Sequence, residues 1–205
     1  MRERVRGFTL VELAIVLVII GIILGAVLKG QELIFNAKVK RLVSQAKEMM
    51  AALYTYYDKY GYYPGDDPTA ATRWAGTISG NGNGLIDGWY CSGDANSESC
   101  RVWQHLRLAN IISGDPNDTN PASMVPKHVF GGAIHLFSAN ATVAGSPRSG
   151  YWLAFVNLPG KAAEALDRAI DDGKCNSGSV VAYNGDCGTG GSYQENLYYE
   201  VWINF

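Results

Sequence analysis

The chain has 205 residues, with 47% apolar and 18% charged side chains, a balance that excludes intrinsic disorder and suits one domain of ordinary size. Its net charge of −2 hides an asymmetry. Residues 1–60 carry nine Lys/Arg against five Asp/Glu, and residues 61–205 carry eight against fourteen. The acidic C-terminal part argues against bulk electrostatic binding of nucleic acid.

The first element is apolar. Arg2, Arg4 and Arg6 precede a run in which the sixteen residues Leu13–Leu28 have no polar side chain. From Phe8 to Leu28 a helix would be about 31 Å long, matching a hydrocarbon core of about 30 Å. The basic head predicts a cytoplasmic N-terminus, with residues 29–205 exported. One carboxylate, Glu12, sits at the edge of the run. A charge inside a span costs on the order of 2.5–3.5 kcal/mol near the helix centre, so its presence calls for a partner.

The helical pattern continues beyond the span. Val39, Leu42, Val43, Ala46, Met49, Met50, Leu53, Tyr56, Tyr57 and Tyr60 recur at three- and four-residue spacing, with Lys38, Lys40, Arg41 and Lys47 on other faces. One helix of roughly 50 residues is predicted from near Phe8 to about Tyr60, ended by Gly61 and Pro64-Gly65. The tyrosines clustered at its end are read as packing that helix end on a head rather than as a path for electrons. Gly21, Gly25 and Gly30 weaken the helix by about 1 kcal/mol each, so loosening between Gly21 and Gly30 is expected in any assembled fibre.

Residues 63–88, rich in Gly, Pro, Asn and Asp, read as a long loop. Within it, "SGNGNGLID" (79–87) resembles the first nine places of a calcium loop, with oxygen-bearing side chains at alternate positions and Gly at the sixth. Asn81, Asn83 and Asp87 are the candidate calcium ligands, and Asp66 or Asp67 would have to fold back to complete the set. Ser79 stands where Asp is usual and Tyr90 where a bidentate Glu is usual. The competing reading is a cluster of Asn-Gly turns that cap their own backbone.

Cys91, Cys100, Cys175 and Cys187 all follow the span. An even number in two close pairs fits disulfides in an oxidising compartment. Three pairings are open, of which Cys91–Cys100 with Cys175–Cys187 closes the shortest loops. A short helix is expected in "RVWQHLRLANII", stopped by Gly114. Strands are expected in "HVFGGAIHLFSA", with a bulge at its Gly pair, in "YWLAFVNL", apolar on both faces, in "SVVAY", and in "NLYYEVWINF". The last would place Leu197, Tyr199, Val201, Ile203 and Phe205 on one side. "KAAEALDRAIDDG" reads as a helix closed by Gly173. The fold class is therefore α+β: a long N-terminal helix packed on a small antiparallel sheet.

Three scattered histidines and the lack of any legible Ser/His/Asp, Cys/His or P-loop arrangement point away from an enzyme. The string Arg6-Gly7-Phe8-Thr9-Leu10-Val11-Glu12, between a short basic leader and an unbroken apolar span, resembles the class III signal of type IV pilins and type II secretion pseudopilins. The resemblance implies a leader at 1–7, a membrane and filament-core helix at 8–28, an amphipathic half at 29–62 and a globular head at 63–205. It implies cleavage between Gly7 and Phe8 by a prepilin peptidase, N-methylation of Phe8, and pairing of Glu12 with the N-terminal amine of a neighbouring subunit. The partners implied are further copies of the chain, the inner-membrane assembly machinery and the bacterial inner membrane before assembly. The expected function is a structural subunit of a type IV pilus, found in the inner membrane as precursor and then outside the cell. The alternatives are a periplasmic type II secretion pseudopilin and a minor pilin with an adhesive head.

Overall fold

The computed structural model describes residues 9–143, 146–183 and 187–205. It divides into two compact units, one ending at Lys38 and the other spanning Val39–Phe205.

One helix, α1 (Leu10–Tyr60), runs through both units. No proline interrupts it. At its C-terminus Gly61 has φ 76°, and its N–H donates to the Tyr57 carbonyl at 2.7 Å. This left-handed cap satisfies a carbonyl that the last turn would otherwise leave open. Within the second unit Leu42, Ala46, Leu53 and Tyr56 of α1 are fully buried. Among the described residues four shorter helices follow: α2 (Ala70–Arg73), α3 (Glu98–Leu108), α4 (Pro121–Met124) and α5 (Gly160–Ile170).

The sheet has four antiparallel strands, β1 (Ile134–Val143), β2 (Ser146–Pro159), β3 (Val180–Ala182) and β4 (Tyr198–Asn204), in the order β1-β2-β4-β3. Its two faces separate by the strand period of two. On one face Leu136 faces Leu153, Leu153 faces Ile203 and Phe155 faces Val201. Phe205 continues that side of β4, and its ring meets Tyr54 of α1 at 6.1 Å. This is the face on which α1 packs.

The opposite face is buried too. Phe137, Trp152, Ala154, Val181 and Trp202 form a cluster with no exposure, and Tyr90 packs against it. The segment from Ile86 to the Cys91–Cys100 bridge covers these rings. Ile86 exchanges two bonds with Ser138 of β1, donating to its Oγ at 2.8 Å and accepting from its N–H at 2.9 Å. Burial of side chains this large contributes about 1.5–3 kcal/mol each, so the sheet is a core in both directions.

The α+β architecture matches the expectation, and four local details differ from it. The Gly pair 131–132 makes no bulge; it forms the turn before β1, where the Gly131 N–H donates to the His128 carbonyl and the Gly132 carbonyl accepts from the His128 N–H. The bulge lies in β2 between Phe155 and Leu158, beside Asn157 at φ 61°. Asn110, at φ 56°, turns the chain after α3 well before Gly114. The long loop contains one helical turn, α2.

Candidate functional site

The N-terminal end of α1 is built by two side chains. The Thr9 N–H and Thr9 Oγ1 both donate to Glu12 Oε2, at 2.8 and 2.9 Å. In return the Glu12 N–H donates to Thr9 Oγ1 at 3.2 Å. This is a reciprocal capping box: Thr9 is the N-cap and Glu12 the third helical residue. Glu12 thus has a partner within its own subunit, and its negative charge lies at the end of the helix where the macrodipole favours it. The signal was present in the sequence as Thr-x-x-Glu before an apolar run.

Beyond this box α1 is long and apolar enough to cross a membrane, and its apolar window is wholly unburied within the chain. Leu13, Leu17, Val18, Ile22, Leu24 and Leu28 are each more than half exposed. Such a continuous apolar surface marks a contact with lipid or protein. Gly7 and Phe8, the expected cleavage and methylation residues, lie outside the described residues.

The head holds the other residues singled out in the sequence. The structure brings Asn81, Asn83 and Asp87 together: both side-chain amides donate to Asp87 Oδ2, at 2.9 and 3.0 Å. The Asn81 and Asn83 side-chain oxygens accept the Asn83 and Leu85 N–H groups. Asp66, buried, folds into the loop as well and accepts from the N–H groups of Gly82, Asn83 and Gly84 at 2.7–3.0 Å. Glu98 accepts from the N–H groups of Asn81 and Asp87. The loop runs backbone against backbone at Gly80, where a Cβ would meet the Gly65 carbonyl oxygen at 2.3 Å. A cation binding here would have to displace these bonds.

Both short disulfides are present, Cys91–Cys100 and Cys175–Cys187. Asp67, fully buried, accepts from Tyr56 Oη at 2.7 Å, from Thr69, and from the Arg73 guanidinium, tying the loop to α1. His105 accepts the Gly65 N–H at Nδ1, 2.9 Å, and Nε2 lies 3.2 Å from the Ile78 carbonyl, which places the ring proton on Nε2. Burial pulls His105 and His135 down to about 4. Both therefore fold neutral. Asp167, Asp171 and Asp172 converge at the end of α5, where Asp167 accepts from Tyr193 Oη and the Gly173 N–H. Burial pushes Asp167 up to about 6.

The tyrosines pack as the end of a helix should. Tyr56 is buried, and the rings of Tyr57 and Tyr63, then Tyr63 and Tyr151, lie 4.6 and 4.4 Å apart.

Comparison with known proteins places these features in a setting. The family model for the prokaryotic N-terminal methylation motif matches residues 2–28. The chain is 30% identical over 101 residues to the "Fimbrial protein" of Neisseria meningitidis serogroup B, covering 45% of this chain and 59% of that protein. It is 30% identical over 101 residues to the "Type IV major pilin protein PilE" of Neisseria gonorrhoeae, covering 45% of this chain and 60% of that protein. The chain thus spans about three fifths of the length of the curated relatives it matches. No solved structure matches it. A prokaryotic N-terminal methylation motif heads this chain, and its homology is to neisserial type IV pilins.

Proposed function

We propose that the chain is a structural subunit of a type IV pilus. The leader is removed between Gly7 and Phe8, Phe8 is N-methylated, and the apolar half of α1 holds the subunit in the inner membrane. The same helix then enters a filament core outside the cell. The observation that carries this reading is an apolar helical surface, unburied within its own chain, headed by one carboxylate. Cleavage after Gly7 would create an amine at Phe8, and Glu12 would pair with the amine of a neighbouring copy. Leaving either charge alone in an apolar core is strongly unfavourable, so docking in the correct register satisfies both. Nothing in this function asks for catalysis.

The test is to shear native cells and examine the shed material by electron microscopy and N-terminal sequencing. Fibres made mainly of this chain, beginning at methylated Phe8, are the expected result. A processed chain that stays in the envelope without such fibres would replace this reading with the pseudopilin. Fibres in which the chain is scarce would identify a minor subunit.

A further inference from the structure

Among the described residues, two aromatic rings at the outer face of the sheet are supported from beneath and only partly covered. Trp89 is 50% exposed and Tyr183 37% exposed. Each rests on a buried ring. The Trp89 indole is stacked on Phe137 at 5.9 Å, and the Tyr183 ring lies flat on Trp202 at 3.8 Å with an interplanar angle of 3°. Trp89 and Tyr183 are themselves 6.1 Å apart at 50°, so they form a shallow angled ledge. Trp89 sits two residues from the Cys91–Cys100 bridge, and Ile86 pins the same segment to β1. The ledge is held from both sides.

A polar rim completes it. Trp202 Nε1, beneath Tyr183, donates both to Tyr90 Oη and to Glu200 Oε1, each at 2.8 Å. A phenol oxygen and a half-buried carboxylate therefore border the rings. We infer that this ledge is a saccharide-binding site, taking the apolar C–H face of a pyranose on Trp89 and Tyr183 and its hydroxyls on Glu200 and Tyr90.

Size, charge and rigidity favour that ligand over others. Large aromatic side chains present about 150–250 Å² each, so two half-exposed rings offer on the order of 200 Å². That is far below the roughly 800 Å² per partner of a stable protein interface, and it suits one or two sugar rings. Bases also stack on aromatic platforms, but single-strand binding adds a basic groove for the phosphates, whereas here the bordering charge is a carboxylate and residues 61–205 are net acidic. Glu200, half-buried beside the rings and already accepting from Trp202 Nε1, can accept a further hydrogen bond from a sugar hydroxyl. Sugar C–H groups carry slight positive charge, which the electron-rich ring faces attract. Because both rings are already fixed by stacking, little side-chain entropy is lost on binding. The inference needs only residues of the Val39–Phe205 unit and is independent of polymerisation.

The test uses the full chain in a polyoxyethylene detergent, which has no sugar head group. Cellohexaose, N-acetylchitohexaose and dextran are offered in turn, and saturation-transfer NMR reads which sugar protons touch the protein. Transfer to ring C–H protons of at least one of the three is expected. It should fall at least fivefold in Trp89→Ala and Tyr183→Ala, and stay within twofold in Trp89→Phe and in the control Tyr62→Ala, an exposed tyrosine just past the end of α1. Near-UV circular dichroism checks that the fold persists; if Trp89→Ala fails it, Tyr183→Ala and Glu200→Gln provide the comparison. Absence of transfer from all three saccharides, or undiminished transfer in the folded ledge variants, overturns the inference. So does a tri-lysine peptide that binds at Trp89 where the sugars do not.

Discussion

Thr9 and Glu12 satisfy each other within one subunit, through three hydrogen bonds of 2.8–3.2 Å. The carboxylate at the edge of the span thus has a resting partner before any neighbour arrives. The proposed assembly is then an exchange of partners, in which Glu12 moves from a local cap to an intersubunit ion pair. Glu12→Ala is expected to insert in the membrane yet yield no sheared fibres. Thr9→Ala should loosen the first turn by about 1 kcal/mol, seen as roughly fivefold faster amide exchange at Glu12 and Leu13, whose N–H groups bond to Thr9, with Thr9→Ser near normal. Normal fibre yield from Glu12→Ala would sink the assembly role.

Asp67 is the anchor between α1 and the loop after it. Removing the carboxylate strands the buried Tyr56 hydroxyl and the Thr69 donors, at about 1–3 kcal/mol, while the exposed Arg73 turns to water. Asp67→Ala should lose stability on that scale in chemical denaturation of the detergent-solubilised chain. Tyr56→Phe, which deletes only one hydrogen bond to Asp67, should cost about 1 kcal/mol. Equal losses in the two variants would show that the carboxylate is not the centre of the contact.

Acid should act on the head through groups of opposite sign. His105 and His135 have folded values of about 4, below the ordinary 6.5 or so. Their stabilisation is full above pH 6.5 and is lost as pH falls toward 4. Asp167, raised to about 6, works the other way: its cost disappears as pH falls from about 6 to about 4. Asp167→Asn should therefore give a steeper loss of melting temperature between pH 6 and pH 4.5 than the parent chain. An unchanged slope would remove Asp167 from this account.

The two bridges close short loops of 9 and 12 residues' separation. The chain-entropy estimate gives roughly 2–3 kcal/mol for each. Replacing Cys91 and Cys100 together by Ser should lower the melting temperature by about 5–10 °C.

The loop at 79–87 is a separate case. As folded, Asp66, Asp87 and Glu98 already receive N–H donors. Removal of divalent cations with a chelator is expected to leave the melting temperature within about 1 °C. A larger fall, abolished in Asp87→Ala, would assign a calcium ion to Asn81, Asn83 and Asp87.

Those residues illustrate what was legible in the sequence. The course of α1, the two close cysteine pairs and the alternation Tyr199, Val201, Ile203 each follow from a short-range period or spacing. Trp202 did not, because its burial depends on a segment more than a hundred residues away folding over the sheet. Asn110 and the Gly131-Gly132 turn were misplaced for a related reason. Several residues there tolerate a left-handed backbone, and only the packed neighbours select which one adopts it. The head's hydrogen-bonded loop was legible as a turn cluster, but its use of Asp66 and Glu98 as backbone acceptors depends on contacts up to 18 residues apart.

The aromatic cover over the sheet has a consequence for where this chain can mature. The segment bearing Trp89 and Tyr90 is fastened at Cys91 by a bond that forms only under oxidising conditions. In a reducing cytoplasm that fastening is missing, and Phe137, Trp152 and Trp202 would open to solvent whenever the segment lifted. A sticky indole surface of that kind invites aggregation. For a head exported as proposed above, the latch would close only after export, which would act as a safeguard built into the head itself.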